Sequence, residues 1–151
     1  MREIKFRAYI KSIKKILPVI DISFGVDGLI SDIQVAGCGE EGCRTCNDFY
    51  ESDDFIIMQY TGLKDTYDKE IYEGDIVYGH YIEYDPYFDK DNTHIFTSDI
   101  KYINNSFKVN RDTVNEEGRI RNYGYLHEWD NQRVAVIGNI YDTPEYLKEE
   151  E

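Results

Sequence analysis

The stretch FIIMQYTGLKDTYDKEIYEGDIVY, from Phe55 to Tyr78, decides the fold class of this chain. It reads as a strand that ends at Tyr60, a polar turn, a short strand at Ile71-Tyr72 and a glycine turn at Gly74, followed by a third strand. Two tight turns this close together predict an antiparallel meander. The stretch therefore indicates β-structure, and it contains no catalytic signature.

Alternation of apolar and polar residues extends the β prediction along the chain. Glu3 to Ile10 has the period-two pattern of a half-buried strand, and Leu29 to Val35 repeats it. Pro18 interrupts the apolar segment between them, which predicts an edge strand or two short strands there. Asn104-Asn105 separates two strands of a hairpin, because asparagine tolerates the positive φ of a tight turn. Residues 83–91 hold four acids and a proline and are predicted to form a solvated loop.

The C-terminal segment completes the predicted fold. Arg133 to Tyr141 returns to alternation, and Thr143-Pro144 has the N-cap and first-turn chemistry of a short helix. The EGDIV segment and the final VIGNIY strand are similar to parts of small SH3-like barrels. We therefore expect one mainly β (β-rich α+β) chain with two subdomains: residues 1–54 as a small N-terminal β layer with a cysteine loop, and residues 55–151 as a partly open SH3-like barrel.

Charge and hydropathy limit the classes of function. The net charge of −13 argues against a surface for double-stranded nucleic acid, since such surfaces need Lys and Arg to neutralise phosphates. The first 15 residues nevertheless hold six basic residues and one acid, so the rest of the chain carries −18. No apolar run long enough for a membrane span and no signal-peptide pattern is present, which predicts a soluble, cytoplasmic protein.

Three cysteines in AGCGEEGCRTCND form the one motif that suggests metal chemistry. Cys43 and Cys46 have the C-x2-C spacing at which two thiolates reach one zinc ion, and Cys38 could supply a third ligand. A fourth ligand would have to come from a distant position, for which the candidates are Asp48, His80, His94 and His127. The alternative is a variable loop with free cytosolic thiols, and a disulfide is not expected in a reducing compartment.

The chain offers no catalytic constellation. His127-Glu128-Trp129-Asp130 is the only titratable trio beside the single tryptophan, but neighbouring side chains on a strand point to opposite faces and would not converge as a general base. Nucleophile-elbow, phosphate-loop, dinucleotide-binding and metalloprotease motifs are also missing from the sequence. We therefore predict a protein that is not an enzyme.

Three segments carry a resemblance to a known family. Arg2 to Tyr9 (REIKFRAY), Met58 to Val77 (MQYTGLKDTYDKEIYEGDIV) and Val136 to Leu147 (VIGNIYDTPEYL) resemble the YopX family of phage and prophage proteins. The resemblance does not extend to the cysteine loop or to residues 79–132. It implies a viral or prophage origin, a cytoplasmic setting in the infected bacterium and a mostly β fold. No activity is established for the family, so the resemblance implies no catalytic residues.

Two functional hypotheses follow from the sequence, and the acidic clusters suggest a third. The first is a phage accessory protein that binds a host or phage protein through tyrosine-rich acidic loops, using Tyr78, Tyr84, Tyr87 and Phe88. The alternative is a nucleic-acid-binding module that uses the cysteine knuckle and a basic N-terminal strand with Arg2, Lys5, Arg7 and Lys11. Acidic clusters could also imitate the phosphates of DNA or fill a basic groove. Edge strands predict a homo-oligomer.

Overall fold

The computed structural model describes residues 3–37, 47–85, 90–115, 118–125 and 134–147. Within these ranges eleven strands form two antiparallel sheets, which confirms the prediction of a mainly β chain. The chain divides into two compact units, Met1–Tyr60 and Thr61–Glu151. None of the described residues belongs to a helix with the length and apolar character that a membrane span requires.

The first sheet contains six strands, which are β1 (Phe6–Ile10), β2 (Lys15–Phe24), β3 (Ile30–Ala36), β4 (Asn47–Glu51), β5 (Phe55–Lys64) and β6 (Glu70–Tyr72). Their spatial order is β4-β3-β2-β1-β5-β6, so β1 lies between β2 and β5 and β4 is an edge strand. The predicted alternation of β1 is confirmed where the strand is central, because Ala8 and Ile10 are fully buried. They pack in a cluster with Ile33, Val35 and Phe55.

Strand β2 corrects the prediction made from Pro18. It is one continuous strand in the interior of the sheet, paired with β1 and with β3, and neither an edge strand nor two short strands. Proline lacks the N–H that a ladder needs. The ladder with β3 begins only at Val19, so Pro18 pairs with Arg7 of β1 alone and lies beyond the end of the second ladder.

The second sheet contains five strands, which are β7 (Asp75–Asp85), β8 (Lys90–Ile103), β9 (Ser106–Asn115), β10 (Gly118–Tyr125) and β11 (Val134–Asn139). Their order is β10-β9-β8-β7-β11, and these described strands form an open sheet and not a closed barrel. The SH3-like topology stays a prediction. The predicted C-terminal helix is a short 3-10 helix, Pro144–Leu147. The core of the unit Thr61–Glu151 combines one residue of β6 with residues of the second sheet. These are Ile71, Val77, Phe96, Ile100, Val109 and Val134.

The predicted hairpin at Asn104-Asn105 is confirmed. Both asparagines have positive φ, 51° and 62°, and the flanking residues Ile103 and Ser106 pair directly. Two consecutive residues of positive φ match the right-handed twist of the strands that they join. The turn chemistry was therefore sufficient to set the register of β8 and β9.

The sequence predicted a solvated loop over residues 83–91, but the described residues at both ends of this segment belong to strands, and residues 86–89 lie outside the described residues. Strand β7 continues to Asp85, β8 begins at Lys90, and the ladder between them includes the pairs Tyr84 with Asp91 and Asp85 with Lys90. Acidic side chains do not prevent a ladder whose faces can stay in water, because strand propensity depends strongly on context. Strand β10 likewise pairs with β9 along its whole length, although its sequence is polar and mixed.

The predicted meander is wrong at its last turn. Strand β6 belongs to the first sheet and β7 to the second, so the turn at Glu73-Gly74 moves the chain from one sheet to the other. Gly74 has a φ of 78°, and its N–H donates to the carbonyl of Ile100 at 2.8 Å. The buried carboxylate of Asp75 accepts the N–H of Tyr72 at 2.8 Å. These contacts fix the turn at which the chain passes from the first sheet to the second.

Candidate binding surface

An open cleft of about 780 Å³ lies at the edge of the first sheet, within the unit Met1–Tyr60. One wall is the turn between β2 and β3, and the other is the edge strand β4 with the residues that follow it. The lining side chains that matter for recognition are Asp27, Leu29, Ile30, Asp32, Phe49 and Glu51. We call this the β4 cleft.

Short-range hydrogen bonds shape the turn that forms one wall. The N–H of Gly25 donates to the carbonyl of Leu29 at 2.8 Å, and the N–H of Gly28 donates to the carbonyl of Gly25 at 3.0 Å. Asp27 Oδ1 accepts the N–H of Leu29 at 3.0 Å. Gly28 has a φ of 79°, a conformation that glycine adopts without steric cost. The turn therefore holds Leu29 directly before the beginning of β3.

The opposite wall is fixed where β4 ends. The N–H of Ser52 donates to the carbonyl of Ser31 at 3.0 Å, which closes the ladder between β3 and β4. The N–H of Asp54 donates to the carbonyl of Glu51 at 3.0 Å and turns the chain toward β5. The position of Phe49 thus follows from the pairing of β4 with β3, its neighbour in the described sheet.

Large apolar side chains are exposed at this cleft. Leu29 is 70% exposed and Phe49 is 68% exposed, and Phe24 and Val26 at the same turn are also exposed. Single exposed apolar residues are normal on protein surfaces, whereas a group of them beside a concave surface marks an interaction site. The β4 cleft therefore has the composition of a binding surface.

The cleft is also strongly acidic. Asp27, Asp32 and Glu51 line it, and the sequence from Ile16 to Leu63 contains nine acidic residues and one basic residue, Arg44. Asp32 of β3 stands directly opposite Glu51 of β4. Like charges at directly opposite positions of a ladder repel each other. This surface would attract a partner that brings positive charge.

The amino-acid sequence does not predict this cleft, because its two walls come from separate segments. The segment NDFYESDD has little apolar content and predicts a loop, whereas residues 47–51 form strand β4. Exposure of Phe49 and Leu29 depends on β4 being an edge strand and on the geometry of the turn beside β3, and neither is visible in a local pattern. The excess of acidic residues from Ile16 to Leu63 was the available clue.

The predicted tyrosine surface is only partly described. Tyr78 lies on β7 between β8 and β11 and is 45% exposed, and Tyr84 lies in the same strand opposite Asp91. Tyr87 and Phe88 lie outside the described residues. Tyr78 and Tyr84 lie in a strand and not in the loop that we expected to present them, and the role of the four aromatic residues in partner binding stays a prediction.

The basic N-terminal residues have contacts within their own unit. Lys5 Nζ lies 3.0 Å from Glu3 Oε1 and 5.6 Å from the centre of the Tyr60 ring. Lys11 Nζ donates to the carbonyl of Asp53 at 2.6 Å. Arg7 lies on β1 opposite Met58, and Arg2 is outside the described residues. These contacts offset part of the positive charge, and the nucleic-acid hypothesis stays a prediction.

The predicted zinc ligands fall mostly outside the described residues. Cys38, Cys43, Cys46 and His127 are among those outside, while Asp48 lies in β4 opposite Val35 and His80 lies in β7 opposite Ile95. Across the part of the chain that the structure describes, no three His, Cys, Asp or Glu side chains are grouped to hold a metal ion. Zinc binding therefore stays a prediction.

Tyr141, in the unit Thr61–Glu151, should titrate at a pH that is shifted by its burial. Burial raises the pKa of Tyr141 above the ordinary value of 10.0, and the negative charge of Glu73 raises it further. The folded state therefore keeps this proton when the unfolded state has lost it. We expect the free energy of unfolding to be unaffected by this group below pH 10 and to fall as the pH rises through the unfolded and then the folded pKa.

The Tyr141→Phe variant supplies the measurement. The difference between the tyrosinate absorbance of the wild type and that of the variant, followed against pH, should show one group that titrates above the ordinary tyrosine range. Glu73→Gln should move this titration toward lower pH. A difference curve with an ordinary midpoint would contradict the assignment.

Comparisons with known proteins agree with the fold. The family described as YopX protein matches residues 5–148, which confirms the resemblance in the three segments. No curated protein matches the chain significantly. The crystal structure of protein EF1440 from Enterococcus faecalis is similar over 98% of this chain and 100% of its own, with a TM-score of 0.61 and 23% identity, so the two proteins share the fold. Since the family match spans nearly the whole sequence, the chain belongs to the YopX family.

Proposed function

We propose that this YopX protein is a non-enzymatic phage or prophage accessory protein that binds a host or phage protein in the bacterial cytoplasm, and that the β4 cleft is its contact surface. The observation that carries the proposal is the exposure of Leu29 and Phe49 beside the carboxylates of Asp27, Asp32 and Glu51. Apolar anchors within a charged rim are the usual composition of a specific protein interface.

The energetic argument favours these two side chains as anchors. Complete burial of a leucine or phenylalanine side chain stabilises a complex by about 1.5–3 kcal/mol. The carboxylates add less affinity, but they increase the association rate and select against acidic partners. A few buried anchors carry most of the affinity of an interface. Loss of both Leu29 and Phe49 should therefore weaken binding far more than loss of one rim charge.

The first experiment is affinity capture of the tagged protein from lysate of infected or lysogenic cells, with and without nuclease. We expect a stoichiometric protein that survives nuclease treatment. With that partner purified, the double variant Leu29→Ser/Phe49→Ser should raise Kd by about 100-fold or more, because each tenfold change corresponds to about 1.4 kcal/mol. Titration calorimetry measures this change.

A matched control separates the cleft from general surface hydrophobicity. Ile4 is 69% exposed in the same unit and does not line the cleft, so Ile4→Ser should leave Kd unchanged. Equal affinity for wild type and the double variant would rule out the β4 cleft. Loss of affinity in Tyr84→Ala/Tyr87→Ala instead would support the tyrosine surface. Loss of the captured protein on nuclease treatment would support the nucleic-acid hypothesis.

A further inference from the structure

We infer that β4 binds an extended, basic segment of the partner protein as an additional strand of the first sheet. This inference rests on the proposed function and specifies its mode and the chemistry of the partner. Strand addition combines main-chain hydrogen bonds with pockets for alternate side chains, and it requires an accessible sheet edge.

The edge is regular enough to serve as a template. Strand β4 pairs with β3 in unbroken register from Asn47 opposite Ala36 to Glu51 opposite Asp32. It is the end strand of the sheet, and no other strand among the described residues pairs with its outer side. Because Ser52 bonds toward β3, alternation along an antiparallel ladder turns the backbone groups of Phe49 away from β3 and toward the outer side.

Strand β4 lacks several of the usual protections of an edge strand. Proteins block exposed edges with proline, with lysine or with bulges. The sequence of β4 is NDFYE, which contains neither proline nor lysine, and its ladder with β3 has no register shift. Within the described part of the chain, this edge is protected by its short length and by negative charge, and negative charge does not repel a basic strand.

Side-chain alternation indicates what the added strand carries. Phe49 and Glu51 share one face of β4, on which Glu51 stands opposite Asp32. A lysine or arginine of the added strand beside Glu51 would relieve the repulsion between these two carboxylates, and an apolar residue two positions away would cover Phe49. The recognised segment therefore carries a basic and an apolar residue two positions apart, so that both face the same side of the sheet.

The same charges disfavour a second copy of this chain as the occupant. Pairing of β4 with its own copy would bring a second strand that carries Asp48 and Glu51 and no basic residue, so it would add negative charge to the edge and neutralise none. A homo-oligomer through β6, β10 or β11, the other edges of the described sheets, remains compatible with this inference.

Peptide probes test the mode of binding on the full chain. The main probe is a capped peptide, Lys-Thr-Val-Thr-Lys-Thr, which presents lysine and valine two positions apart on one face and has the length of an ordinary strand, about six residues. Two-dimensional amide NMR should show the largest shift changes at residues 47–51. The same peptide N-methylated at alternate residues keeps its charge but cannot complete the ladder, so its Kd should be at least about tenfold higher. The same peptide with glutamate in place of each lysine should not bind.

Variants of the protein test the role of charge. Asp32→Asn/Glu51→Gln should raise the Kd of the lysine peptide and make it less sensitive to salt, while Glu145→Gln in the 3-10 helix should have no effect. Equal binding of the N-methylated peptide, or shift changes centred away from β4, would overturn strand addition. Sedimentation that shows a dimer disrupted by Phe49→Ser would also overturn it, since a second copy would then occupy the edge.

The outcomes separate this inference from the proposed function. If the partner is lost in Leu29→Ser/Phe49→Ser but N-methylation does not weaken the peptide, the cleft binds a protein without strand addition. If the partner is retained in that variant while the peptide pairs with β4, the edge is competent but is not the contact surface of that partner. In the second case the proposed function is wrong as to its site.

Discussion

Replacement of Asp65 by alanine is expected to lower the free energy of unfolding by about 3 kcal/mol, because it removes three charge-assisted hydrogen bonds from a buried site. Oδ1 of Asp65 accepts the N–H groups of Tyr67 at 2.8 Å and Lys69 at 2.9 Å, and Oδ2 accepts the N–H of Val136 at 2.9 Å. The residue is 6% exposed, so water replaces these bonds poorly.

The contact with Val136 gives this carboxylate more than local importance. It joins the turn between β5 and β6 to strand β11, and Thr66 reinforces the same junction by donating its N–H and its hydroxyl to the carbonyl of Val134 at 3.0 and 2.9 Å. Loss of Asp65 should therefore release the last strand of the sheet as well as the turn.

Urea denaturation followed by circular dichroism measures the effect. Asp65→Asn keeps one acceptor oxygen and should cost less than Asp65→Ala. Glu145→Ala, an exposed carboxylate of the 3-10 helix, serves as the control and should change the free energy of unfolding by less than about 0.5 kcal/mol. If Asp65→Ala were no more destabilising than this control, the carboxylate would not hold the junction.

Gly138→Ala is expected to destabilise the chain by about 2–3 kcal/mol through steric overlap. A Cβ atom at this position would overlap Thr143 Oγ1 and lie 3.1 Å from Tyr146 Cδ2. Thr143 Oγ1 cannot move away without loss of its bond from the N–H of Asn139, which is 3.0 Å long. Gly138 also follows a register shift in β11, where the strand has little freedom to adjust.

A double-mutant cycle isolates the cause. Thr143→Ala removes the overlapping oxygen, so Gly138→Ala should cost clearly less in that background than in the wild type. Thr143→Ser retains the oxygen and should leave the cost unchanged. Equal costs in all three backgrounds would show that the destabilisation comes from the backbone of residue 138 and not from contact with Thr143.

Asn139 shows why the VIGNIYDTPEYL segment has its particular residues. Its Oδ1 accepts the N–H groups of Tyr141 at 2.9 Å and Asp142 at 3.0 Å, and its Nδ2 donates to Asp142 Oδ2 at 3.0 Å. The N–H of Ile140 donates to the carbonyl of Gly74 in the EGDIV segment at 2.9 Å. Hydrogen bonds therefore join two of the three segments that resemble the family, and Asn139 has a structural role in the turn that follows β11.

Prediction from the sequence succeeded where the information was local. The hairpin at Asn104-Asn105 was predictable because positive φ is a property of one or two residues. Prediction failed for residues 83–85 and 90–91, for the position of Pro18 in an interior strand and for the passage of the chain between sheets at Gly74. Each failure concerned which strands pair, and an acid-rich or proline-containing segment takes its structure from its pairing partner.

The candidate site shows the same division. Exposed Phe49 and buried Val35 have the same apolar character in the sequence, yet one lies on an edge strand and the other is fully buried in the core. The three cysteines and the basic N-terminal residues attracted attention because their chemistry is visible in single residues or short spacings. The β4 cleft has no such motif and arises from a turn and a strand that are about twenty residues apart in the sequence.

The sequence by itself determined the β class, most of the strand-forming segments, the asparagine hairpin and the family, because alternation, turn residues and short motifs act over a few neighbouring positions. The tertiary structure alone decided that β4 is an edge strand with Phe49 exposed beside Asp32 and Glu51, and that Asp65 holds Val136 across 71 positions of the chain. These features depend on pairing between distant segments, and the free energy of that pairing is shared by many residues, so no local pattern contains it.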